Sequence, residues 1–132
     1  MRIPFLHSKV HRVIVTGANL EYEGSLTLDV DLMEAAGMAP YQRIEVYNVD
    51  RGTRLSTYLI TGPRGRGDCC LNGAAAHMAE VGDRVIIAAY CELEPEETPG
   101  HRPRLVLVGE DNRAFQVKHG ETAFHLVGRE PD

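Results

Sequence analysis

Several shortages in this sequence each remove a class of protein. Cysteine occurs three times, twice as the neighbours Cys69 and Cys70, and no C-x-x-C pair is present. That excludes a zinc ribbon and a thioredoxin-like redox site, and leaves free, buried or half-buried thiols as the expectation. No apolar run approaches the roughly 20 residues that cross a bilayer as a helix. Residues 1–7 lack the apolar stretch of a secretory leader, so a cytoplasmic protein is expected. Fourteen basic residues against nineteen acidic ones give a net charge of −5. Phosphate contacts need clustered Lys and Arg, so neither nucleic acid nor a membrane is expected as a partner. Neither G-x-G-x-x-G nor a P-loop occurs. A chain of 132 residues is one ordinary domain, short for a large cofactor-binding unit. An enzyme built on it would use a reactive group that is simple or made in place.

What is present, 43% hydrophobic and 25% charged, is ordinary for a globular domain and is cut into short segments. Residues 9–16 put Val13 and Val15 on one face of a strand, and 25–30 alternate Leu26 and Leu28 with polar partners. A short helix is expected over 31–36, capped by Asp29 or Asp31 and stopped by Gly37. Strands at 43–49 and 53–61 flank the turn Asp50-Arg51-Gly52, a spacing that predicts a hairpin. Asn72-Gly73 reads as a tight turn, and 74–80 as one or two helical turns. The apolar run 84–91 is the candidate central strand, 94–103 an exposed loop and 104–108 a further strand. Beyond Asn112 the pattern weakens, and 129–132 read as frayed. Many short strands with two small helices imply a mainly β fold, a compact barrel.

Three other features keep an ordinary reading. His7 and His11 stand four apart, but the flanking valines mark a strand, where the rings do not converge on a metal. No metal ligand set is assigned. The glycine-rich stretch 62–68 and the acidic stretch 92–97, which lacks the spacing of a calcium loop, read as solvated loops.

The informative tetrapeptide is Tyr22-Glu23-Gly24-Ser25. Gly-Ser between two strands is by itself an ordinary turn. Gly24, however, has no Cβ and can take a strained backbone conformation that exposes its carbonyl carbon. The Ser25 hydroxyl can attack that carbonyl and shift the acyl group from nitrogen to oxygen. β-Elimination of the ester and hydrolysis of the resulting dehydroalanine, with loss of ammonia, leave a pyruvoyl group. The first step needs donors around the oxyanion formed at Gly24.

The run from His11 through Val15-Thr16, Ala18, Leu20 and Tyr22 to Ser25 resembles the pyruvoyl-dependent aspartate 1-decarboxylases. So do Arg54-x-x-Thr57-Tyr58, Asn72-Gly73-Ala74-Ala75-Ala76 and Val81-Gly82-Asp83-x-Val85-Ile86-Ile87, in order over about two-thirds of the chain. Asn19 stands where the family pattern leads one to expect aspartate. The resemblance implies a double-psi β-barrel with short helices, a single domain over 1–132 cleaved into 1–24 and 25–132. It further implies a homotetramer with sites between subunits, making β-alanine and carbon dioxide from L-aspartate for pantothenate and coenzyme A synthesis. By the same resemblance Ser25 is the precursor of the pyruvoyl cofactor, and Gly24, Ser25, Thr57 and Asn72 carry processing. Ser25 and Tyr58 are then catalytic, Tyr58 as proton donor. Lys9, Arg54, Thr57, Gly73, Ala74 and Ala75 bind substrate.

The chemistry of these residue types is consistent with the roles. The substrate amine forms a Schiff base with the pyruvoyl carbonyl, which supplies the electron sink for decarboxylation. Arg offers a fork for one carboxylate and Lys a point charge for the other, and the residues leave open which takes which. A tyrosine hydroxyl can return the proton. Two alternatives remain: a non-enzymatic small barrel that binds DNA, and a pyruvoyl decarboxylase of another amino acid. The net charge opposes the first, and the Lys9 and Arg54 pair favours a dicarboxylate over the second.

Overall fold

The strand periodicity read from the sequence becomes a curled ladder in the computed structural model, which describes residues 1–120. The expected fraying at 129–132 lies outside them. The strands are β1 (Ile3–Ile14), β2 (Gly17–Asn19), β3 (Ser25–Asp29), β4 (Arg43–Asn48), β5 (Arg54–Gly62), β6 (Cys69–Asn72), β7 (Arg84–Leu93), β8 (Arg104–Val108) and β9 (Ala114–His119). Their order is β2-β6-β3-β5-β4-β7-β1-β8-β9. β2 continues β1 after only Val15 and Thr16, and the Thr16 N–H donates to the Cys69 carbonyl at 2.8 Å. The ladder therefore closes on itself through β1 and β2, with β8 and β9 extending it from β1. This is the expected mainly β barrel with short helices. Its pairs are mixed: β3 runs parallel to β5, β2 to β6 and β1 to β8, and the remaining pairs are antiparallel.

Val13 and Val15 share an inward face, as expected, and so does Val10. Simple alternation cannot bury residues three apart. A bulge between Val10 and Val13, with Arg12 at φ +67°, supplies the extra residue that resets the face. Leu26, Leu28, Leu59, Leu71, Val85 and Ile87 complete the barrel core, all fully buried. β3 is enclosed on both sides, since Ser25 and Asp29 are buried too. The helix α1 (Val30–Ala36) packs Leu32, Met33 and Ala36 inward, is capped by Asp29 and ends at Gly37 in the left-handed conformation. The Asp29 carboxylate also accepts the Gly65 and Gly67 N–H groups, so the glycine-rich loop is folded onto the helix start. Burial pushes the Asp29 pKa up, but its three backbone donors outweigh this and hold it below the ordinary value.

Three expectations are corrected. Asn72-Gly73 is not a separate tight turn: Asn72 ends β6, and Gly73 begins a 3₁₀ turn over Gly73–Met78. Residues 94–103 contain a second 3₁₀ turn, Pro95–Gly100, closed by reciprocal bonds between Glu94 and Glu97. The weak pattern beyond Asn112 hides β9, whose residues are all exposed and so carry no buried face to betray a strand.

Candidate active site

The Gly24–Ser25 junction lies where β3 begins, and two neighbouring strands fix it there. In the antiparallel pair β3–β6, Ser25 stands opposite Asn72. The Asn72 Nδ2 donates to Ser25 Oγ at 2.9 Å and to Thr27 Oγ1 at 3.0 Å. Ser25 is fully buried, and its hydroxyl donates to the Glu23 carbonyl at 3.4 Å. In the parallel pair β3–β5, Leu26 stands opposite Leu59. Thr57 and Tyr58 lie on β5 just before that paired stretch.

Gly73 closes the third side. Its φ is +63°, and a Cβ there would stand 2.8 Å from both the N and the Cα of Gly24 and 2.9 Å from the Tyr22 carbonyl oxygen. The strained glycine is thus Gly73. Gly24 itself lies outside the left-handed region and has open space where a Cβ would point. The conformational freedom expected of Gly24 is used by the residue that backs it, which lets two backbones touch.

A cleft of about 460 Å³ opens beside the junction, and its lining includes Gly24, Leu55, Thr57, Tyr58, Ala74 and Ala75. Thr57 and Tyr58 both border it although they are consecutive on a strand. The first half of β5 has no β3 partner before Leu59, and the cleft runs along that free edge. The Tyr58 ring stacks on Tyr41 at 6.4 Å, and Tyr41 is itself held at φ +68°.

The structure therefore brings together Gly24, Ser25, Thr57, Tyr58, Asn72, Gly73, Ala74 and Ala75. It does not bring Lys9 or Arg54 to the cleft lining of a single chain. Lys9 sits on β1 opposite Ala88 and Leu105, with β7 and β4 between it and β5. Arg54 starts β5, is exposed, and lays its guanidinium over the Tyr47 ring. Thr27 and Tyr41 were not foreseen. Thr27 carried a readable signal, two residues from Ser25 on the same strand face, whereas Tyr41 lies far from Tyr58 in sequence and touches it only through the fold.

The aspartate decarboxylase family model matches residues 1–115. An aspartate 1-decarboxylase of Dehalococcoides mccartyi is 50% identical over 92% of this chain and 98% of its own length. One from Caldicellulosiruptor saccharolyticus is 49% identical over 92% of this chain and 94% of its own. One from Ralstonia nicotianae is 48% identical over 89% and 98%.

Proposed function

This chain belongs to the aspartate decarboxylase family, and from that premise we propose that it cleaves itself between Gly24 and Ser25 and then decarboxylates L-aspartate to β-alanine. The observation that carries the reading is the junction itself: a buried serine hydroxyl bonded to Asn72, behind a glycine packed directly on Gly73. A turn between strands needs none of these features.

In maturation, Ser25 Oγ is the nucleophile and the Gly24 carbonyl carbon its target. Thr57, which lines the cleft together with Gly24, donates its hydroxyl to the oxyanion. Asn72 holds the Ser25 oxygen in place. The pocket fits a pyruvoyl group at residue 25, since such a group is small and Asn72 already supplies a donor to the oxygen at that position. Its carbonyl supplies the electron sink that decarboxylation needs.

The remaining roles fall to ordinary side chains. Ala74 and Ala75 present little more than backbone to the cleft, so a ligand as small as aspartate can lie close to their N–H groups. The Tyr58 hydroxyl, in the same cleft, delivers the proton after carbon dioxide leaves. Arg54 and Lys9 bind the two carboxylates. Neither lines the cleft of one chain, and a homotetramer with sites between subunits would let them reach it from a neighbouring copy. The product would feed pantothenate and coenzyme A synthesis in the cytoplasm; among the described residues no helix is long and apolar enough to cross a membrane.

Intact-mass spectrometry tests the reading. The expected result is a chain of residues 1–24 and a chain of residues 25–132, the larger lighter than its serine-started form by one ammonia. The same preparation should release β-alanine from aspartate, and Ser25→Ala should abolish both cleavage and turnover. A single uncleaved species after prolonged warm incubation would overturn it.

A further inference from the structure

Most of the described arginines lie beside an acid. Arg43, Arg51, Arg64, Arg66, Arg84 and Arg113 each sit within ion-pair distance of a carboxylate. The Arg54 side chain makes no hydrogen bond or ion pair with any described residue. Its guanidinium carbon instead lies 4.8 Å from the centre of the Tyr47 ring, its cross-strand partner on β4. The far end of that ring is tied down: the hydroxyls of Tyr47 and of Tyr90, on β7, are 2.8 Å apart. Burial first, and then the bond to Tyr90, push the Tyr47 pKa up to about 12, so the ring stays a neutral phenol whose face attracts a cation.

We propose that Tyr47 is a positioning residue for substrate binding, its tethered ring holding the Arg54 guanidinium over its face so that its N–H fork is preset for a substrate carboxylate. The inference rests on the reading of Arg54 as a carboxylate binder. A free arginine samples many rotamers and must be ordered when the ligand arrives, whereas a guanidinium resting on a fixed aromatic face has already lost much of that freedom. The contact with the ring uses none of the guanidinium's hydrogen bonds to acceptor oxygens, so its N–H donors stay available to a carboxylate. An ion pair to a neighbouring acid would have consumed them.

The test is steady-state kinetics with aspartate on the self-cleaved protein. Arg54→Ala should raise KM well above the wild-type value. Tyr47→Leu should raise KM roughly three- to tenfold while kcat stays within about twofold, the scale of a partly exposed cation–aromatic contact. In an Arg54→Ala background, Tyr47→Leu should add nothing further, because it acts only through Arg54. Tyr47→Phe and Tyr90→Phe keep the ring and cut the tether. Each should give the same smaller rise, and the double variant no more than either alone; these two carry the test if Tyr47→Leu fails to fold. An unchanged KM in Arg54→Ala would overturn the carboxylate reading and this inference with it. A raised KM in Arg54→Ala with wild-type KM in the Tyr47 and Tyr90 variants would overturn this inference alone. So would a Tyr47→Leu effect that persists in full without Arg54.

Discussion

At position 73 a hydrogen in place of a side chain decides where the Gly24–Ser25 junction can sit. The atoms an alanine Cβ would strike are backbone atoms of Tyr22 and Gly24, which cannot rotate aside as a side-chain end could. The left-handed backbone adds about 1–2 kcal/mol for any residue but glycine. Gly73→Ala should therefore lower the thermal midpoint and slow self-cleavage together, read by thermal unfolding and by the rate at which the larger chain appears in mass spectra. Wild-type values for both would show that the junction is held by something else. Tyr58 allows a cleaner separation. Tyr58→Phe removes one hydroxyl and keeps the ring that stacks on Tyr41. Cleavage should proceed, while turnover falls by roughly 10²–10⁴-fold, the usual contribution of a positioned general acid. A cleaved Phe variant with near-normal turnover would assign the proton to another group, and a variant that fails to cleave would place Tyr58 in maturation.

Among the elements, the β4–β5 hairpin is tied to the start of β7 by one carboxylate. Asp83 accepts from the Glu80 N–H at 2.9 Å, from Asn48 Nδ2 at 3.0 Å and from Arg51. Asn48 in turn accepts the Asp50 and Arg51 N–H groups that shape the hairpin turn. The Glu80 N–H, then Asn48 and Arg51, pull the Asp83 pKa down to about 2. A lowered folded-state pKa means stability that is complete above the unfolded value near 3.8 and is lost as pH falls from there towards 2. Asp83→Asn should lower the thermal midpoint at neutral pH and flatten its fall between about pH 4 and pH 2; an unchanged acid slope would remove Asp83 from the linkage. The hairpin was legible in the sequence because both strands alternate and Asp50-Arg51-Gly52 is a strong turn signal. α1 was legible because Asp29 and Gly37 mark its ends chemically. β2 and β6 were not, since three or four residues are too few to show a period. Asn72-Gly73 imitated a turn because the same small residue that suits a turn also suits a close backbone approach. The cleft residues were legible as motifs, but not the distant partners that hold them: Tyr41 and Tyr47 become relevant only once the fold brings them beside Tyr58 and Arg54.

On the scale of the whole molecule, the junction falls between two parts of the fold that are unequal in length and tightly joined. Residues 1–24 contribute β1 and β2, and β1 lies between β7 and β8 in the sheet. Val10, Val13 and Val15 are fully buried in the common core. Burying a valine is worth about 1.5–3 kcal/mol, an upper value when the free peptide is itself partly collapsed. Further bonds pin the far end. Asn112 donates to the Ile14 carbonyl and accepts from its N–H, both at 2.8 Å, and donates to the Gly67 carbonyl as well. The Val15 and Thr16 N–H groups bond to Asp83 and Cys69. Breaking one peptide bond at the start of β3 removes none of these contacts. The 1–24 chain should therefore remain in place after cleavage: under native conditions both chains should elute together in gel filtration, and they should separate only in denaturant. Asn112→Ala, which frees the end of β1, should lower the denaturant concentration at which the small chain is released. Its free elution from the wild-type protein in native buffer would show that β1 depends on the covalent link, contrary to its central place in the barrel.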